Sequence, residues 1–190
     1  MNEKTKPRKG PQVRAEKPIT PYTGSRDPRF VTIRRGGTLD DMRHHLLAAW
    51  AADCADHVLH YFTAQFPEDD RPWRAVEQAR AWSRGEVSMI EARQAAYAAH
   101  AAARAADGAA REAARAAGHA VATAHMADHE LGAAAYAIRA VRAAALPDER
   151  AEAGRIECLW QREQLPEAIR DLVISDEELR NRKLWLLFTC

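Results

Sequence analysis

The sequence predicts an all-α fold: one compact antiparallel bundle of about six to eight helices behind a basic, disordered N-terminal tail. Three observations predict it. Helical periodicity begins after Thr38 and hardly stops; glycine, proline and capping residues cut it into segments of ordinary helix length; and alanine, the best helix former, dominates from Ala92 to Ala145. A chain of 190 residues is long enough for one core of respectable size, so residues 28–190 read as a single domain and residues 1–27 as its tail.

The tail carries Lys4, Lys6, Arg8, Lys9, Arg14, Lys17 and Arg26 against Glu3, Glu16 and Asp27, and Pro7, Pro11, Pro18 and Pro21 interrupt it. Low hydrophobicity with net charge leaves little to bury, hence the expectation of disorder. With +4 in the tail and +1 overall, the body sums to −3. A mildly acidic body gives no basic face for nucleic acid. From Arg29, "RFVTIRR" alternates with β-branched residues before "GG", which predicts a short strand or extended arm.

The helices follow in order. Thr38 is the expected N-cap of the first, with Asp40 and Asp41 in its first turn, running from about Leu39 to Phe62 and ending before Pro67. Asp70 and the proline of "DDRPW" open the second, which stops near Gly85. Ser88 and Glu91 have capping-box spacing and open a third that fades at Asp107 and Gly108. A fourth covers about Ala109 to His125, and a fifth lies within Asp128 to Ala145. A sixth runs from Asp148 to about Gln164. Pro166 starts a short seventh, and Ser175 with Glu178 repeats the capping box for a final turn or two.

Alanine buries little area per residue, so these helix axes must come close together, and Gly118 and Gly132 make sense as points of closest approach. Bulk is expected from Trp50, Tyr61, Phe62, Trp73, Trp82, Ile156, Leu159 and Trp160, and from a terminal "LWLLF" docked on the bundle. Cys54, Cys158 and Cys190 are few, odd in number and without metal-ligand spacing, which predicts free thiols in a reducing compartment. No secretory signal and no bilayer-length apolar run is visible, so a cytoplasmic protein off the membrane is expected.

The eight histidines raise the question of chemistry. On the first helix His57 falls inside the apolar arc, with Asp53 one turn before it and His60 nearly one turn after, on the flank of the same arc. They either converge on a cation, or Asp53 orients a half-buried His57 at a helix contact. In "HAVATAHMADHE", His125 and His129 have i, i+4 spacing resembling a metalloprotease pattern, but Asp128 stands where a longer carboxylate is needed and doubles as a helix cap that would separate the two rings. His119 lies about 120° round the helix from His125, which argues against a shared site. The preferred reading is packing and hydrogen bonding, with no metal and no cofactor. The competing one is a histidine-rich helical metalloprotein or metal-dependent hydrolase. Phosphate loops, nucleophile elbows and paired-cysteine motifs are absent.

One stretch raises a family. "DDRPWRAVEQARAWSRGEVSMIEARQAAYAAHAAARAA" and "AARAAGHAVATAHMADHELGAAAYAIRAVRAA", roughly Asp69 to Ala144, resemble a family of alanine-rich, all-helical bacterial immunity proteins of toxin–immunity systems. Its recurring features fall on Arg71, Pro72, Glu77, Arg80, Trp82, Gly85, Glu86, Gly118, His119, Thr123 and His125. The resemblance implies a non-catalytic protein that binds and blocks a cognate protein toxin. With the spacing arguments above, it makes Asp53, His57, Glu77, Arg80, Trp82, His100, His119 and His125 the binding candidates; the oligomeric state is left open.

Overall fold

The computed structural model describes residues 23–190, so most of the basic tail lies outside the described residues. The described part of it is engaged with the body. Arg26 reaches Asp128 at 3.0 Å, and the Asp27 carboxylate accepts from the Arg29 amide.

Seven α-helices follow: α1 (Asp41–Thr63), α2 (Arg71–Ser83), α3 (Met89–Arg104), α4 (Gly108–Ala122), α5 (Glu130–Ala144), α6 (Arg150–Glu163) and α7 (Glu167–Arg180). The capping box of Ser88 and Glu91 is formed in both directions. Three local expectations need correction. Asp40 rather than Thr38 caps α1, its carboxylate 2.7 Å from the Arg43 amide, because the shorter distance to the first turn favours the residue nearest it. "RFVTIRR" forms two 3₁₀ turns, Pro28–Phe30 and Ile33–Arg35, and contributes one isolated bridge, Thr32 to Leu39. The 3₁₀ turn lets the consecutive Phe30 and Val31 both face inward, which the alternation of a strand would not. Finally α7 runs straight through Ser175, whose hydroxyl donates to the Leu172 carbonyl and accepts from Arg29 instead of starting a new helix.

The helix with the smallest side chains sits at the centre. α4 packs against α1, α2, α3 and α5, burying Ala110, Ala113, Ala114, Ala116, Ala117, Gly118, Ala120, Val121 and Ala122. On one side an alanine core joins α2, α3 and α4 to the Ala51, Ala55, Val58 and Phe62 face of α1. On the other, Leu47, Trp50 and Cys54 of α1 meet Leu131 and Ile138 of α5, Cys158 of α6, and Ile169 and Val173 of α7. The expected bulk is only partly used. Trp50 and Phe62 are core, whereas Trp73, Ile156 and Leu159 face solvent.

The C-terminal segment docks through Leu187 and Phe188 and leaves Trp185 and Leu186 exposed. Trp185 and Leu186 take φ of 58° and 56°, the left-handed region, and turn the chain back so that Asn181 can hold Phe188 by two hydrogen bonds of 2.8 and 3.1 Å. This return also overturns the free-thiol expectation for two cysteines: Cys158 and Cys190 form a disulfide, and only Cys54 is free and buried. Thirty-two residues separate the pair, and only the docking of the C-terminus on α6 brings them together, so neither count nor spacing could show it. The cysteine argument for a reducing compartment falls with it. Among the described residues no helix is long and apolar enough to cross a membrane.

Where apolar bulk is short, buried ion pairs join the helices. Glu112 of α4 meets Arg139 of α5 at 2.8 Å, and Glu177 of α7 meets Arg162 of α6 at 2.6 Å. Glu130, wholly buried at the start of α5, meets Arg180 at 3.1 Å, and Arg180 also binds Asp176 and donates to the Asp128 carbonyl. Burial pushes the Glu130 carboxyl well above the usual range, with Arg180 opposing.

Two mutational outcomes follow from this packing. A Cβ added at Gly118 would come within 2.5 Å of the His100 ring, and one at Gly132 within 2.5 Å of the His119 ring. Gly118→Ala and Gly132→Ala should each lose about 1–3 kcal/mol in urea unfolding, although alanine is the better helix former. Arg180→Met should cost about 3–5 kcal/mol by the same measurement, because it strands Glu130 and Asp176; a loss under 1 kcal/mol would show that the cluster does not hold α5 to α7.

Candidate functional site

The sequence-derived candidates fall into three separate groups, with Trp82 apart from them. The first is a charged face on α1 and α2. Arg80 lies between Asp53 (3.1 Å), Asp56 (2.9 Å) and Glu77 (3.1 Å). The Glu77–Arg80 spacing predicted a pair one turn apart; in the fold the guanidinium also crosses to α1. Net hydrogen bonding to these carboxylates outweighs burial and raises its pKa. Three carboxylates about one guanidinium leave the face acidic. It continues through Glu77 into a cleft of about 590 Å³ between α2 and α3, where Trp73 stands half exposed beside Gln94 and Ala98.

His57 belongs elsewhere. Its Nδ1 is 2.8 Å from Glu157 of α6, and its ring stacks on Trp160 with centroids 3.7 Å apart. The Asp53–His57 pair is therefore not formed, since Arg80 takes Asp53, and His60 Nδ1 donates to the His57 carbonyl at 3.1 Å. Asp53, His57 and His60 do not converge. His57 serves instead to satisfy Glu157, a carboxylate only 2% exposed that Gln161 also contacts.

The third group is a histidine ladder across α3, α4 and the α4–α5 turn. His100 of α3 lies over Gly118 of α4, and His119 of α4 lies over Gly132 of α5. The His100 and His119 rings are 5.2 Å apart, and His119 Nδ1 is 3.3 Å from His129 Nδ1, one ring donating and the other accepting. The His129 ring in turn is 5.4 Å from His125. The helix does break between His125 and His129, but Asp128 caps neither flanking helix: it lies inside the 3₁₀ turn Ala127–His129, which folds His129 back and gathers the rings rather than separating them. The 120° offset of His119 and His125 does not keep them apart because His129 bridges the difference. Tyr136 stacks on His119 at 5.1 Å and closes the ladder toward Trp185.

Trp82 sits between the rings of His44 and His45, at 4.7 and 4.8 Å, and His44 Nε2 donates to the Thr123 carbonyl at 2.7 Å. The Thr123 hydroxyl donates back to the His119 carbonyl. The end of α2 is thereby tied to the end of α4. Arg71 grips Asp69, and Gly85, at φ 75°, ends the turn after α2.

Chemically, the ladder is a set of neutral imidazoles. Burial, then the neighbouring His129 and His100, lower the His119 pKa to about 3; burial lowers that of His129 to about 4 against the pull of Asp128. Among the described residues no group of three or more histidines, cysteines or carboxylates is placed to hold a metal ion. Cys54 is buried and its thiol is pushed up, away from reactivity. Sequence reasoning missed His44, Glu130 and Arg180 and misplaced His129. His129 was visible in "HMADHE"; nothing in the local sequence marks an arginine fifty residues away as the partner of Glu130.

Comparison with known proteins adds one family. A model of the family described as Imm-5 like putative immunity protein matches residues 37–168, more than half of the chain. No curated protein and no solved structure matches.

The ladder predicts an acid-labile fold. A histidine whose folded pKa lies below its unfolded value of about 6.5 takes up its proton more readily when unfolded, so stability falls as pH drops from 6.5 toward the folded pKa. His44, His100 and His125 are lowered in the same direction, while the raised Glu130 and Glu177 oppose the trend. The unfolding free energy from urea titrations should fall steeply between pH 6.5 and 4, by about 1.4 kcal/mol per pH unit for each imidazole kept neutral. His119→Asn should flatten that slope; an unchanged slope would show that His119 is not part of the titrating set.

Proposed function

The chain belongs to the Imm-5 like immunity family, and from that premise we propose that it binds and neutralises a cognate bacterial toxin without catalysing a reaction on it. The family match over residues 37–168 carries the reading, since it spans α1 through α6, with every binding candidate on or between those helices. The geometry favours one face for the encounter. Asp53, Asp56 and Glu77 present an acidic rim, Arg80 fixes their positions, and Trp73 offers a half-exposed aromatic side chain in the adjoining cleft. A central aromatic anchor with charged groups round it is the arrangement that makes a stoichiometric protein contact, the charges setting orientation and on-rate. Trp82, His100, His119 and His125 then act by holding α2, α3 and α4 in register beneath that face, and His57 by holding α6 to α1.

Co-expression with the toxin encoded beside the gene tests the assignment. Cells carrying both should survive induction, and death at the rate seen with toxin alone would refute it. Trp73→Ala, at an exposed position, should leave the thermal melt in place and weaken toxin binding by about tenfold to a hundredfold. Protection by the wild type together with unchanged affinity in Trp73→Ala would keep the function and move the interface elsewhere.

A further inference from the structure

A second concavity lies away from the α2–α3 cleft, where the two N-terminal 3₁₀ turns cross the ends of α2 and α4. Its volume is about 410 Å³, within the range of small-molecule sites. Arg26, Arg34, Arg35, His44, Trp82 and His125 line it over an apolar floor that includes Phe30 and Ala127, and no carboxylate is among the lining residues. In a chain of net charge +1, three guanidiniums and two imidazoles on one wall set are a local excess of donors.

The charges around it can be followed one by one. Arg26 is held by Asp128, and Arg34 is held by Asp41 at 2.7 Å on the exposed side. Arg35 forms no ion pair among the described residues and is exposed. Arg93, one turn along α3 from Met89 of the lining, donates to the Tyr97 hydroxyl and adds a further positive charge nearby. His125 Nδ1 is buried without a hydrogen-bond partner. Burial first, and then Arg93, Arg26 and Arg35, hold the His125 pKa down, with Asp128 alone opposing among its leading influences.

We propose that this cleft binds a phosphomonoester with a small apolar or planar body, such as a nucleoside monophosphate, its oxyanion on Arg35 and His125 and its body against Trp82 and Met89. Guanidinium forks match the several oxygens of a phosphoryl group, and Arg35, the one lining guanidinium without a carboxylate partner among the described residues, stands beside the unpartnered His125 to receive them. The aromatic and aliphatic floor supplies area for the remainder of the molecule. This site is independent of the toxin-binding face.

The test is calorimetric titration of the full chain with AMP, inorganic phosphate, adenosine and a hexaglutamate peptide. AMP should bind one-to-one, phosphate should compete more weakly, and adenosine should not bind. Arg35→Gln, at an exposed position, should keep its melting temperature and weaken AMP by at least about tenfold, the effect of losing a charge-assisted contact. In the unmutated protein the His125 ring resonances should move on adding phosphate and its pKa should rise, which decides the matter even if a variant fails to fold. Absence of saturable AMP and phosphate binding at millimolar concentration, or AMP binding untouched by Arg35→Gln, would overturn the proposal. Binding of hexaglutamate in place of AMP would also overturn it and make the cleft a seat for an acidic peptide.

Discussion

Close approach to α4 is the constraint from which the rest of the structure follows. Ten of its fifteen residues are buried, most of them alanines, so each contributes little apolar area and contact must be made by bringing backbones together. Four neighbouring helices do this at once. A core of that kind has no long side chains to bridge a gap, and imidazoles take over at the remaining spaces. Two of them do so where a glycine on the facing helix gives room, as Gly118 does for His100 and Gly132 for His119. The glycines and the histidines are thus two halves of one packing device. The low affinity of these rings for a proton is the electrostatic side of the same burial.

The second half of the molecule solves its shortage of bulk differently. α6 and α7 attach to the α1–α5 layer through a modest apolar patch and through the His57–Glu157 and Arg180–Glu130 pairs, and to each other through Arg162 and Glu177. Such pairs stabilise less than well-packed hydrocarbon would, yet they are costly to break one partner at a time. They therefore fix which helix lies against which. The disulfide of Cys158 and Cys190 and the Asn181 clamp on Phe188 add a covalent and a hydrogen-bonded constraint at the same end.

How much of this was legible in the sequence depends on the range of the interaction. The helices were, because caps such as Ser88–Glu91 and stops such as Gly85 act within a turn or two. Helix proximity at Gly118 and Gly132 was legible too, since a helix-interior glycine in an alanine-rich run has few other uses. Partner choice was not. Asp53 looked like the companion of His57 one turn away, but Arg80 of the next helix outcompetes an imidazole for a carboxylate, and His57 is left to Glu157 a hundred residues further on. The same holds for Cys158 with Cys190 and for Glu130 with Arg180, pairs defined only once the chain has returned on itself. The ladder was half legible: its members stood out, but the turn at Ala127–His129 that gathers them reverses the inference drawn from helical angles.

The bareness of α4 also limits how such a protein can vary through mutation. Nearly every replacement of a buried alanine enlarges the side chain, and between backbones already in contact there is nowhere for the added atoms to go. Glycine and serine are among the few exits, and each loses helix propensity. The interior is therefore closed to gradual drift, and sequence freedom is left to the solvated flanks of α1, α2 and α3. A scaffold built this way can exchange its outer residues, and with them the molecules it recognises, while its centre stays the same.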